Sequence, residues 1–220
     1  MKKAFTIIAV AAAMLATGTA NAQLGINIGY APVTLTTQTT SGSTTNTTTD
    51  DMTGFFAGAN YNYSFGKDLA LSFGLQARYN TKTTTGTVNL LVASGSEKRT
   101  ATQLLLDVPV LVNYGLNLGK DIKLAVFAGP MLSYALYGNT HVTTTTTLLN
   151  NTSTSEKDYA MYGANSDNER LDLSAAFGLA FQYTQFRLFG GYRLGLLDLN
   201  SSDNVKTTTS GLFVGLGYAL

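Results

Sequence analysis

The chain contains no cysteine. That excludes disulfides, a thiolate nucleophile, a cysteine-based metal site and a lipid-modified N-terminal cysteine. Histidine is nearly as scarce, with His141 the only one in 220 residues. Charge is thin as well: 12% of residues, split between 14 Lys and Arg and 13 Asp and Glu. Such a balance provides no basic field to recruit nucleic acid. After Gln23 no stretch holds 18 consecutive apolar residues, so a membrane-spanning helix is excluded, and apolar residues at helical spacing are absent too. What remains is a chain that is 45% hydrophobic and carries 22 glycines, with threonine-rich tracts between its apolar segments.

The first 22 residues, MKKAFTIIAVAAAMLATGTANA, run from two lysines through an apolar stretch to small residues ending Ala20-Asn21-Ala22. This order of basic, apolar and A-x-A segments is that of a cleaved secretory signal peptide, too short to span a bilayer. Residues 1-22 are therefore expected to be removed and residues 23-220 to fold as one domain. Of the 14 basic residues, Lys2 and Lys3 leave with the leader, so 12 face 13 acidic ones and the net charge falls near −1.

Alternation with period two recurs from end to end, in eight segments near Leu24 to Leu35, Gly54 to Phe65, Leu69 to Asn80, Gln103 to Tyr114, Ile122 to Tyr137, Arg170 to Tyr183, Phe186 to Leu199 and Thr209 to Leu220. Each reaches the roughly 9 to 11 residues with which a tilted strand crosses a bilayer. The connections alternate short and long. Gly66-Lys67-Asp68, Gly115 to Asp121 and Thr184-Gln185 are short; Thr36 to Thr53, Thr81 to Thr102, Gly138 to Glu169 and Asn200 to Thr208 are long. Tight turns at one end and long loops at the other describe an outer-membrane barrel with periplasmic turns and extracellular loops. FGKDLALSF at Phe65 to Phe73 resembles LGKDIKLAV at Leu118 to Val126, and each reads as a turn that starts a strand. The long segments are rich in Thr and Ser, bury little apolar surface and are expected to be mobile at their tips.

The two phases of each strand differ consistently. Leu69, Leu71, Phe73, Leu75, Ala77 and Tyr79 alternate with Ala70, Ser72, Gly74, Gln76, Arg78 and Asn80. About half of the glycines fall in the second phase, together with Phe56, Phe127, Phe189 and Phe213. A soluble barrel would place charge on its outside, which this chain cannot supply. Eight strands enclose a lumen only wide enough for side chains, where small positions must alternate with large ones. The glycine phase is thus assigned inward and the aliphatic phase to lipid. Tyr63, Phe65, Tyr114, Phe181, Tyr183, Phe186 and Tyr218 fall at the short-turn end and Phe55, Tyr79 and Tyr134 nearer the loops, as aromatic girdles require. Pro32, Pro109 and Pro130 each remove a ladder donor and are read as bulges or bends.

At LDVPVLVNYGL, FAGPMLSYALY, FRLFGGYRLGLLDL and the closing GLFVGLGYAL, the chain resembles the small bacterial outer-membrane β-barrel domain proteins, of OmpA- and OmpX-type architecture. The resemblance implies an all-β, eight-stranded antiparallel transmembrane β-barrel, an up-and-down meander in the bacterial outer membrane. It also implies insertion by the outer-membrane assembly machinery, with the last strand as sorting signal; that signal usually ends on an aromatic residue, whereas this chain ends on Leu220.

No catalytic residue, cofactor or metal set is assigned. His141 would need Ser133 or a loop Asp for nucleophilic chemistry, or Glu156 and Asp158 for a metal, and no spacing singles these out. The inward-facing charges are the more informative group: Arg78, Asp107, Lys123, Asp172, Arg187 and Arg193. Buried charges must be paired, so Arg78 with Asp107, and similarly Asp172 with Arg193, are expected to form direct or network ion pairs, as a plug of the lumen rather than an ion path. The function expected is structural or surface recognition through the long loops, with a narrow passive channel as the alternative and a lipid-acting barrel enzyme as a distant third. Expected partners are outer-membrane lipids and the assembly machinery. The residues leave open any extracellular ligand or envelope complex.

Overall fold

The structure, a computed structural model, describes residues 22–90, 93–148, 151–163 and 166–220. The expected leader therefore lies, apart from Ala22, outside the described residues. Ten strands are formed among these: β1 (Ala22–Tyr30), β2 (Val33–Ser41), β3 (Thr44–Ser64), β4 (Leu69–Leu90), β5 (Ala93–Asn117), β6 (Ile122–Leu148), β7 (Asn151–Ala160), β8 (Leu171–Tyr183), β9 (Phe186–Gly195) and β10 (Val205–Ala219). They make eight staves. β1 and β2 are one stave, since both pair with β3 and both with β10 in an unbroken register. β7 and β8 both pair with β6, at different heights. The ring β3-β4-β5-β6-β8-β9-β10 closes through β1 and β2, so the barrel has no open edge within the membrane.

Burial follows the two phases. Along β8, Asp172, Ser174, Ala176 and Ala180 are buried while Leu171, Phe177, Leu179, Phe181 and Tyr183 are exposed. Ile26, Ile28, Leu75, Val112, Leu188, Leu212, Val214 and Leu216 are likewise exposed. A chain with this much bare aliphatic surface requires an apolar surrounding. Paired rings mark the two rims: Tyr63 with Phe65 at 4.9 Å and Phe186 with Tyr218 at 5.2 Å near the turns, and Tyr30 with Phe55 at 5.4 Å toward the loops. The interior is filled by aromatic rings laid over glycine. A Cβ on Gly178 would stand 2.6 Å from Phe127 Cζ, one on Gly191 2.8 Å from Phe213 Cζ, and one on Gly215 2.5 Å from Phe189 Cζ. Only glycine leaves room for the ring of a neighbouring stave.

The two resembling turns close identically, Phe65 N–H donating to Leu69 O and Leu118 N–H to Ile122 O, both at 2.9 Å.

The long segments depart from expectation. Far from being irregular, β4 and β5 stay paired to Leu90 and Ala93, and β6 and β7 to Leu148 and Asn151. β5 also remains registered on β6 along the same stretch. Residues 81–90, 93–102, 139–148 and 151–160 thus form a four-stranded sheet beyond the aromatic rim, roughly 33 Å tall at about 3.3 Å per residue. Threonine explains it: its branched Cβ favours extended backbone, and cross-strand hydroxyl contacts such as Thr83 with Thr100 and Thr147 with Thr152 replace apolar burial. β2 and β3 make a separate hairpin turning at Gly42, whose φ of 61° suits glycine.

Of the two readings of the prolines, bulge or bend, the bulge is excluded. Register is continuous past Pro32, Pro109 and Pro130, so each interrupts the hydrogen-bond ladder without inserting a residue. The bulge lies elsewhere. Leu104 pairs with Tyr137 and Leu105 with Ala135, leaving Leu136 as the extra residue. Leu136 and Tyr137 both face outward, which reverses the phase of β6 above that point.

Candidate functional site

The lumen contains a row of polar side chains set by register: Asp107 lies opposite Ser133, and Ser133 opposite Asp172, across β5, β6 and β8. Arg78 reaches this row from β4. Its Nε donates to Asp107 Oδ2 at 2.7 Å and its Nη2 to Asp107 Oδ1 at 3.1 Å, with side-chain exposures of 3% and 2%. A bidentate, fully enclosed pair of this kind is fixed in direction and stronger than a surface contact.

Asp172 and Arg193 make no direct ion pair. Register puts Arg193 opposite Ala176, four residues along β8 from Asp172. Asp172 Oδ2 instead accepts from Thr209 Oγ1 at 2.6 Å, and Arg193 Nε is buried without a hydrogen-bond partner. Arg187 lies nearer the turns, where Nη2 donates to Asn113 Oδ1 at 2.9 Å and the guanidinium stands 5.9 Å from the Phe127 ring and 5.8 Å from that of Phe189. Asn113 in turn donates to Ser72 Oγ at 2.8 Å. Lys123 lies closest to the turns, its stem folded over Gly115. The six charges are therefore spread along the axis, and the geometry joins only Arg78 and Asp107 directly.

Among the described residues, small cavities lie at three levels of the lumen. The middle one, of about 70 Å³, is lined by Arg78, Asp107, Arg187, Arg193 and the ring of Phe213. An outer one of about 60 Å³ meets Arg78, Asp172, Tyr162 and Arg170. A third, of about 70 Å³, lies at the turn end beside Lys123, Asn113 and Arg187. Arg78 borders the first two, and Arg187 borders the first and third.

Two residues the sequence reading passed over close the loop end. Tyr162 accepts from Gln103 Nε2 at 2.9 Å and packs over Gly138, and Arg170 stands 5.4 Å from the Tyr162 ring while donating to Ala135 O at 3.0 Å. The available signal was a break in composition: 161–170, MYGANSDNER, carries Tyr and Arg in place of threonine.

His141 and Ser133 are not brought together. Ser133 is enclosed in the lumen at 0% exposure, whereas His141 sits on the projecting sheet with Nδ1 2.9 Å from Asp158 Oδ1. Hydrogen bonds from His141 and Asn139 hold the Asp158 carboxyl below its ordinary range. Glu156 lies two residues along β7, and among the described residues no group of three or more His, Cys, Asp or Glu could hold a metal. The same sheet's other face carries Glu97, Arg99, Val142, Lys157 and Tyr159, and Arg99 contacts Glu97. Below them Lys82 Nζ donates to Asp50 Oδ1 at 2.5 Å, tying the β2–β3 hairpin to β4.

No curated protein sequence matches the chain. Among solved structures it is similar to Ail, the attachment invasion locus protein of Yersinia pestis, at 16% identity over 91% of this chain and 99% of that one, TM-score 0.32. It is similar to Neisserial surface protein A at 12% identity, 89% and 96% coverage, TM-score 0.32. The N-terminal barrel domain of Pseudomonas aeruginosa OprF follows at 12% identity, 90% and 99% coverage, TM-score 0.30. Residues 15–201 match the family described as outer membrane protein beta-barrel domain. With a closed ring of eight staves, an apolar outside and a polar inside largely filled by side chains, the chain belongs to that family and is a protein of the bacterial outer membrane.

Proposed function

We propose that this barrel is a membrane-anchored scaffold that presents a stiff polar sheet for recognition at the cell surface. The observation that carries the reading is the continuous four-stranded pairing of 81–90, 93–102, 139–148 and 151–160, well beyond the aromatic rim. A recognition surface built on paired strands loses less entropy on binding than a coil would. Its inner-phase face offers Arg99 and Lys157 as hydrogen-bond donors beside the Tyr159 ring, a combination suited to polar or acidic surface molecules. Outer-membrane lipids surround the apolar belt, the leader directs export before cleavage after Ala22, and the assembly machinery inserts the barrel.

The test is to replace 83–100 and 141–158 by two-residue turns and reconstitute full and trimmed barrels in vesicles. Retention of each on immobilised matrix proteins and glycans is then compared. The reading expects trimmed vesicles to lose retention while keeping the heat-dependent gel shift of a folded barrel. Equal retention of both on every surface would end it.

The three cavities along the axis favour one rival, a narrow passive channel. Steady single-channel conductance in planar bilayers, altered by Arg78→Ala, would support that rival over the scaffold.

A further inference from the structure

The projecting sheet has two lateral edges, and they differ in charge. Above Thr81, β4 pairs with β5 alone among the described residues, because its pairing with β3 stops at Thr53 and Thr81. The opposite edge is β7, which pairs with β6 alone. An edge strand turns a row of N–H and C=O groups away from its ladder, and natural sheets blunt such rows with charge or proline. β7 carries Glu156, Lys157 and Asp158 in its outer half. Along β4, residues 83–88 read TTTGTV and are exposed, uncharged and free of proline.

An edge that meets its own copy antiparallel does so about a two-fold axis normal to the sheet, which sets residues of the same face opposite each other. Centred on Gly86, where an added Cβ would meet open space, β4 sets Thr85 opposite the partner's Thr87 and Thr84 opposite the partner's Val88. Threonine and β-branched pairs of this kind stabilise a ladder. Centred on its charged stretch, β7 would instead set Lys157 against its own copy and Glu156 against the partner's Asp158, and like charges directly opposite are destabilising.

The barrel decides where the second copy must stand. Within one membrane every β4 runs from the turn end to the loop end, so a neighbour's β4 would lie parallel and, below Thr81, would enter the place that β3 holds. A copy in a facing membrane runs the opposite way. Its strand stops above Thr53, where β3 leaves β4 and its residues 44–52 pair with β2.

We propose that residues 82–88 of β4 bind the same edge of a second copy in a facing outer membrane, joining two four-stranded sheets into one of eight. A strand pair roughly 23 Å long, at about 3.3 Å per residue, falls short of the ~1,200 Å² of a lasting interface. A single contact is therefore brief, and adhesion comes from many copies acting together across the gap. This names a partner for the recognition reading and rests on it, but it uses the edge and leaves the inner-phase face of Arg99, Lys157 and Tyr159 uncovered.

The experiment uses the whole refolded chain in phospholipid vesicles, with clustering followed by light scattering. Wild-type vesicles are expected to cluster in proportion to the square of their protein density. Thr85→Lys with Thr87→Lys, and separately Thr85→Glu with Thr87→Glu, should each slow clustering at least tenfold, and mixing the two kinds of vesicle should restore it. Thr152→Lys with Thr154→Lys on β7 should leave the rate unchanged. Folding of each variant is checked by the heat-dependent gel shift. Gly86→Cys is an independent measure in a chain without cysteine: it should yield disulfide-linked dimers between two differently tagged vesicle populations. Wild-type vesicles that stay dispersed, clustering that survives the lysine pair, or lysine and glutamate vesicles that fail to join would each overturn the proposal. Retention on matrix proteins or glycans by the lysine variant would then show the recognition reading standing without it.

Discussion

Replacing Asp107 by Asn keeps the size of the side chain at the centre of the plug and removes its charge. In the wild type, Arg78 makes contacts of 2.7 and 3.1 Å to the carboxylate, and neither side chain reaches solvent. The variant leaves Arg78 buried and unpaired in a row where Ser133 is the remaining neighbour, at 3.5 Å from Nη2. Breaking one member of a buried pair costs about 3 to 5 kcal/mol. Coulomb attraction gives a similar figure, about 4 kcal/mol at 4 Å and an effective dielectric of 20. Arg193, bordering the same cavity, adds repulsion that Asp107 no longer offsets. Equilibrium unfolding of the refolded protein in phospholipid vesicles, followed by tyrosine fluorescence and the gel shift, should show Asp107→Asn losing about 3 to 5 kcal/mol. Arg78→Met together with Asp107→Leu removes both charges and should recover most of that loss, because a buried pair is replaceable by apolar side chains. The reasoning fails if Asp107→Asn loses less than about 1 kcal/mol, or if the double variant is no more stable than the single one.

Further outcomes follow from the same geometry. Leu75→Arg, on the exposed phase opposite Ala59, should cost about 2 to 4 kcal/mol in the vesicle titration if the belt faces lipid; no loss would contradict that facing. Gly178→Ala places a methyl 2.7 Å from Gly191 Cα and 2.6 Å from Phe127 Cζ, and should lose about 1 to 3 kcal/mol, with wild-type stability showing that the rings have other room. On the projecting sheet, the Asp158 carboxyl should titrate below the ordinary carboxylate value, through its hydrogen bonds from His141 and then Asn139. Because its folded value is depressed, its contribution to the β6–β7 pairing is present above the ordinary value and is lost as pH falls through the depressed one. Carbon-13 NMR of the carboxyl checks this, and a midpoint that His141→Ala leaves in place would refute the assignment. N-terminal sequencing of protein from outer membranes should begin at Gln23; finding Met1 retained would remove the leader.

The sequence alone determined the class of the fold, because period-two alternation is a local property. Leu69 to Asn80 shows its two faces in twelve consecutive letters, and glycine falling in one phase while aliphatic residues fill the other suffices to say which side meets lipid. Short and long connections likewise separated the turn end of the barrel from the loop end. Pairing of particular charges was only half legible. Arg78 and Asp107 sit on strands joined by a long connection that leaves their heights open, and the observed register sets Asp107 opposite Gln76, two residues from Arg78; Asp172 and Arg193 flank the tight Thr184-Gln185 turn, whose length already sets them four residues apart. Tertiary structure alone decided the rest. Threonine tracts read as coil in isolation because they bury nothing, yet a barrel rim holds their first residues in register and the ladder continues upward by hydrogen bonding. The lid of Tyr162 and Arg170, the extra residue at Leu136 and the burial of Arg193 share one cause. Each depends on which staves close the ring, and closure is a long-range fact that no single segment of the chain carries.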